Sequence, residues 1–170
     1  MAHLKELTKF KEEAMRLIVT NPALMQLIVN NNTECFAEPV EKPGQYLYKN
    51  IYPYKHSLGE TETEKKTYIT MDIADFGIVN NHFKSMVIAI YIFTHRDLMR
   101  ITEGGHNKVR VDRMGEEIEK LFNKARGFGI GALQFSGLQS LDVNDDFQGI
   151  VILYETMEFD VEPEKHGIPR

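Results

Sequence analysis

Cysteine occurs once in this 170-residue chain, at Cys35. No disulfide can form within it, and a lone thiol suits a reducing compartment. Tryptophan is absent altogether. The longest apolar run, Met86 to Phe93, falls far short of the roughly 20 residues that cross a bilayer, so no membrane partner is expected. Lys5, Glu6, Lys9, Lys11, Glu12 and Glu13 interrupt the first apolar residues, which leaves no apolar core for a signal peptide. Basic residues are outnumbered: 20 Lys and Arg against 25 Asp and Glu give a net charge of −5. A protein whose main ligand is nucleic acid needs a concentrated basic face. That function class is disfavoured.

What is present fits one globular domain. Hydrophobic residues make up 42% and charged residues 26%, which is ordinary for a soluble fold. A domain of this length hides roughly 70% of its unfolded surface. Leu4, Leu7, Phe10, Ala14, Leu17 and Ile18 recur at helical spacing, and charged residues hold the opposite face. Asn21-Pro22 restarts the helix, because asparagine caps well and proline suits the first helical position. A short helix from Ala23 to Val29 follows. Asn30-Asn31-Asn32 is expected to stop it in the left-handed conformation.

From Thr33 to Lys66 prolines break the pattern, and the segment reads as an extended arm or long loop. Four of the seven tyrosines, Tyr46, Tyr48, Tyr52 and Tyr54, lie in it. They either cover one edge of the core or form a protein-binding surface, since tyrosine offers much contact area at little entropic cost. The arm buries too little apolar surface on its own to offset backbone ordering, and is expected to order chiefly against neighbouring subunits.

Thr67–Ile73 alternates as a strand. Ser85–His95 is an almost continuous β-branched and aromatic run, expected to be central and buried on both faces. A polar loop over Arg96–Lys108 should lead to a helix over Val111–Lys124. Strands near Ala132–Leu141 and Ile150–Phe159 should be joined by a turn at Asn144-Asp145-Asp146, with a bulge at Gly137. The fold class expected is α+β: a small mixed or antiparallel sheet of four to five strands with two main flanking helices, over residues 1–160, followed by a tail over 161–170.

Tempting motifs fail on context. His95-Arg96-Asp97 spells the kinase catalytic triplet without the glycine-rich loop or magnesium aspartate that kinases require. Gly127, Gly129 and Gly131 follow a helix and open a strand, the reverse of a dinucleotide turn. Asp142, Asn144 and Asp146 start a calcium-loop pattern, but Phe147 and Leu153 stand where glycine and glutamate belong. The six histidines are scattered and show no zinc spacing. Cys35 could act as a nucleophile only if a histidine met it in the fold, and a buried, inert thiol is expected instead. No catalytic residue, metal or cofactor is therefore assigned. Arg96, Arg100, Arg110 and Arg113 surround the loop before the second large helix. They are expected as solvated charges or as partners for acidic residues on a neighbouring subunit.

The order of elements, from the amino-terminal helix through the long arm, the strand Ser85–His95 and the helix starting at Arg110-Val111-Asp112 to the closing strand Ile150–Phe159, resembles the tail terminator, or tail completion, proteins of long-tailed bacteriophages and related neck proteins. The resemblance spans about Leu4 to Phe159. It implies a structural virion protein, made in the host cytoplasm, that forms a homo-oligomer, a hexameric ring. Such a ring caps the tail tube, meets the neck or connector proteins, and lets DNA pass through its lumen without specific binding. Tyr46, Tyr48, Tyr52, Tyr54, Arg96, Arg100, Arg110 and Arg113 are the candidate subunit or partner contacts. A head–tail connector or stopper is the nearest alternative. A small enzyme, with His82, His95, Asp97 and Glu103 the residues to inspect, or a ligand-binding α+β domain is the alternative of another class.

Overall fold

The computed structural model describes residues 3–80, 83–126 and 132–159. The elements run α1 (His3–Thr20), α2 (Pro22–Val29), β1 (Ile51–Tyr52), β2 (Thr67–Asn80), β3 (Phe83–His95), β4 (Arg100–Glu103), β5 (His106–Val109), α3 (Arg110–Phe122), β6 (Gln134–Asp142) and β7 (Phe147–Phe159). Single-turn 3-10 helices occur at Pro43–Tyr46 and Arg96–Leu98. The fold is α+β, with a five-stranded sheet in the order β1-β2-β3-β7-β6 and a separate β4–β5 hairpin. Only the β1–β2 pair of the large sheet is parallel.

Side chains alternate across a strand, and the register turns that alternation into rows. Ile69, Ile92 and Ile150 form one row, Met71, Ile90 and Ile152 the next, and Ile73, Ile88 and Tyr154 a third. Together with Phe10, Ala14 and Ile18 of α1, Leu24, Leu27 and Ile28 of α2, and Val111, Met114, Ile118 and Phe122 of α3, these rows make the main core. Gly115 lets α3 sit close to the sheet, because a Cβ there would lie 3.1 Å from Cδ1 of Ile150. Gly149 does the same between strands: a Cβ would fall 1.8 Å from the carbonyl oxygen of Ile92.

The opposite face carries a smaller aromatic cluster of Tyr52, Tyr68, Phe93 and Phe147. β3 is central, as its composition implies. Burial on both faces holds only in part, since Ala89 and Phe93 are buried while Val87 and Tyr91 are half-covered.

Local signals explain the ends of several elements. Asn21 caps α2 by accepting the Leu24 amide at 2.9 Å, with Pro22 in the first turn. The left-handed stop expected at Asn30 does not form, because Asn30 is extended. Its side chain ends the helix instead, donating to the carbonyls of Cys35 and Glu38 at 2.6 and 2.8 Å. Asn144 builds the β6–β7 turn by accepting the amides of Asp146 and Phe147, both at 2.9 Å. The bulge expected at Gly137 appears as a register shift between Phe135 and Gly137.

The polar loop expected over Arg96–Lys108 is largely the β4–β5 hairpin. Its two-residue turn places Gly104 and Gly105 at φ 59° and 79°, the conformation such tight turns demand. The arm Thr33–Lys66 is also corrected. It packs on its own domain rather than waiting for a neighbour, with Cys35, Asn50, Ile51 and Tyr52 buried and Ile51 paired to Ile69. Gln26 and Asn30 bind its carbonyls at Phe36 and Glu38. Gly127, Gly129 and Gly131 and the tail 161–170 lie outside the described residues.

Candidate functional site

The eight candidate contact residues separate into buried and surface groups. Arg110 is fully buried, and the solvated-charge reading fails for it. Its guanidinium donates to the carbonyls of Leu98 (2.7 Å), Leu27, Asn30 (3.1 Å) and Asn32 (2.9 Å). A planar fork of five N–H groups suits this cluster of carbonyl oxygens, and the partial negative charge at the end of α2 stabilises the cation. Arg110 ties α2 to α3 and cannot reach another subunit.

Arg113 is likewise engaged within the chain. It donates to Glu103 at 3.0 Å and Glu117 at 2.6 Å, and lies over the ring of Phe36 at 5.7 Å. Glu117 also receives Lys120 at 2.8 Å and Asn21 at 3.1 Å. Burial pushes the Glu117 carboxyl up, but the donors Lys120, Arg113 and Asn21 outweigh that and hold it at about 2. Arg96, near Asp146 at 3.4 Å, and Arg100 remain exposed.

The tyrosines also divide. Tyr52 is buried and Tyr46 half-buried, whereas Tyr48 and Tyr54 are 63% and 47% exposed. Tyr48 sits at φ 59°, a strained conformation for an aromatic residue. The tight turn from Tyr46 to Ile51 holds it there, with the Tyr48 amide bonded to the Ile51 carbonyl at 2.8 Å. Tyr48 and Tyr54, 6.5 Å apart between ring centres, form with Pro53, Leu47, Met15 and Val19 a groove of about 620 Å³ against α1.

A second apolar surface escaped sequence reasoning. The core rows continue onto the edge strand β6, where Leu138 lies opposite Ile152 and Phe135 opposite Tyr154. The helix α3 packs chiefly over β3 and β7. Phe135 and Leu138 are therefore left 49% and 55% exposed. They floor a groove of about 450 Å³ whose wall is the Asp112, Glu116 and Glu119 face of α3. The signal lay in the alternation of β6 across its Gly137 bulge, which returns two apolar residues to the helix-bearing face.

Of the described residues singled out for catalysis, His95 and Asp97 are neighbours at 3.9 Å, while Glu103 is engaged in a different network. His95 is buried and its Nδ1 accepts the Asp97 amide at 3.2 Å, while the Asp97 carboxylate binds Lys65 at 2.9 Å. Glu103 belongs to the Arg113–Lys108 network, and His82 lies outside the described residues. Cys35 is buried, and burial raises its thiol pKa, opposite to what a nucleophile requires. Among the described residues no three His, Cys, Asp or Glu are grouped to hold a metal ion. No described helix is long and apolar enough to cross a membrane.

A mixed sheet with helices on one face and apolar surfaces at both of its edges defines an α+β domain. The chain belongs to the YomW family, whose model matches residues 21–156, and that phage-derived family name is consistent with a phage protein. No curated protein and no solved structure matches the chain.

Proposed function

We propose that the protein is a structural component of the virion, a tail terminator whose copies form a ring on the end of the tail tube and join it to the neck. The observation that carries this reading is the pair of apolar surfaces at the two edges of one sheet. Tyr48 and Tyr54 flank β1, and Phe135 and Leu138 lie on or beside the open edge of β6. Four strand spacings, about 19 Å, separate these edges. Two different surfaces on one subunit suit head-to-tail contacts, which close into a ring when the rotation between subunits divides a full turn. The phage-derived name of the matched family is consistent with that setting. The role is one of assembly rather than turnover, its partners being further copies, the tube protein and the neck.

Mass spectrometry of purified particles, with electron microscopy of the same preparation, tests the reading. The protein should be found at the tail–neck junction in a copy number that forms a closed ring of 19.6 kDa subunits. Absence from particles would refute it, and location at the head vertex would move the protein to the connector or stopper role.

A further inference from the structure

We infer that the β6 groove of one copy receives the tyrosine-bearing arm of a second copy, residues Tyr48 to Lys55. This inference rests on the ring reading and names the contact that builds the ring.

The two surfaces complement each other in shape class and in charge. The groove has an apolar floor, Phe135 and Leu138, and an acidic wall, Asp112, Glu116 and Glu119, all three exposed. Glu116 leans within 3.6 Å of Arg113, while Asp112 and Glu119 form no ion pair among the described residues. The arm presents two exposed tyrosines and the exposed lysines Lys49 and Lys55. Lys55 rests 5.7 Å from the Tyr91 ring, and a cation at that range is free to exchange its aromatic contact for a carboxylate. Tyrosine rings are rigid, amphipathic anchors for an apolar floor, and lysines beside an acidic wall set orientation and speed of encounter.

The β6 edge itself calls for a cover. Gln134 through Leu141 contains no charge and no proline, and natural edges are guarded by those residues or by an overlying segment. The helices of a second copy cannot supply that cover, because Phe10, Ala14 and Ile18 of α1, the apolar side of α2, and the stripe of α3 are already spent in its own core. The arm still has uncommitted apolar surface.

Sedimentation and light scattering of the full chain and three charge-reversal variants test the contact. The unmodified chain should form closed oligomers. Glu116→Lys with Glu119→Lys should weaken association by about tenfold or more, and Lys49→Glu with Lys55→Glu should do the same. An equimolar mixture of the two variants should reassemble, since each then offers the surface the other lost, and the chain carrying all four changes should assemble alone. These positions are exposed, and a thermal melt equal to that of the unmodified chain verifies folding. As a direct probe, a copy with Tyr54→Cys should oxidise to a disulfide with a copy bearing Leu138→Cys and with no copy lacking it, the native Cys35 being buried.

A monomer at every concentration overturns the inference, as does a ring indifferent to the charge reversals. A ring that ignores them but sits at the tail–neck junction leaves the terminator reading standing. A ring that obeys them but is missing from virions removes the terminator reading and keeps this contact.

Discussion

Replacing Arg110 by methionine should cost about 3–5 kcal/mol of folding stability. The guanidinium holds four carbonyls, and its bonds to Leu98 and Leu27 lie in fully buried surroundings. Methionine fills much of the same volume but donates nothing. Two buried carbonyls then lose their donor at about 1–3 kcal/mol each. The carbonyls of Asn30 and Asn32 are only part-buried and regain water, which limits their loss to about 0.5–1.5 kcal/mol each. The relief of no longer burying a cation offsets part of the sum, and removal of one partner from a buried charged cluster commonly nets about 3–5 kcal/mol. Urea denaturation followed by far-ultraviolet circular dichroism measures the difference, with an unchanged slope verifying that the same cooperative unit unfolds. Arg110→Lys should restore little, because a point charge cannot serve four oxygens fixed around a planar fork. A loss below about 1 kcal/mol for Arg110→Met would refute the view that this residue clamps α2 to α3.

Glu117 gives a pH signature. Its carboxyl is held at about 2 against an ordinary 4.5, so its contribution of about 2–3 kcal/mol is fully present above pH 4.5 and is lost as pH falls through the interval down to about 2. Glu117→Gln should flatten the stability curve over that interval, and an unchanged acid limb would contradict the assignment. Tyr154→Phe should leave stability unchanged or raise it by up to about 1 kcal/mol, because the buried hydroxyl has no hydrogen-bond partner among the described residues. A marked loss in the thermal melt would reveal a partner for that oxygen. Gly149→Ala should abolish cooperative unfolding, since its Cβ would collide with the backbone of β3. A soluble, well-melting variant would show that the β3–β7 register has slack.

The sequence carried the elements whose signals are local. Asn21-Pro22 marks the α1–α2 break, Asn144 the β6–β7 turn and Gly137 the bulge, and each rests on backbone chemistry within a few residues. Gly104-Gly105 carried an equally local hairpin signal, overlooked because the flanking strands are short and polar. Arg110 was illegible for a different reason. Burial of a cation depends on carbonyls some 80 positions away in the chain, and no periodicity encodes that. The two apolar surfaces were half visible: tyrosine density pointed to the arm, yet the separation of Tyr48 and Tyr54 from the buried Tyr52 needed the turn at Tyr46–Ile51. The β6 surface needed the sheet order, since Phe135 and Leu138 lie beyond the two strands on which α3 chiefly packs.

The placement of β7 between β3 and β6 has a consequence for synthesis. The β2–β3 hairpin is complete long before β7 leaves the ribosome, and it then presents one flank of a thirteen-residue strand without its mate. The row-filling side chains Ile150, Ile152 and Tyr154 arrive last, and β6 has nothing to pair with until they do. A chain that stops before β7 therefore leaves that flank of β3 unpaired, and unpaired strand edges are aggregation-prone. Only a chain extended through β7 displays a settled β6 surface, so quality control of the translation product is written into the strand order itself.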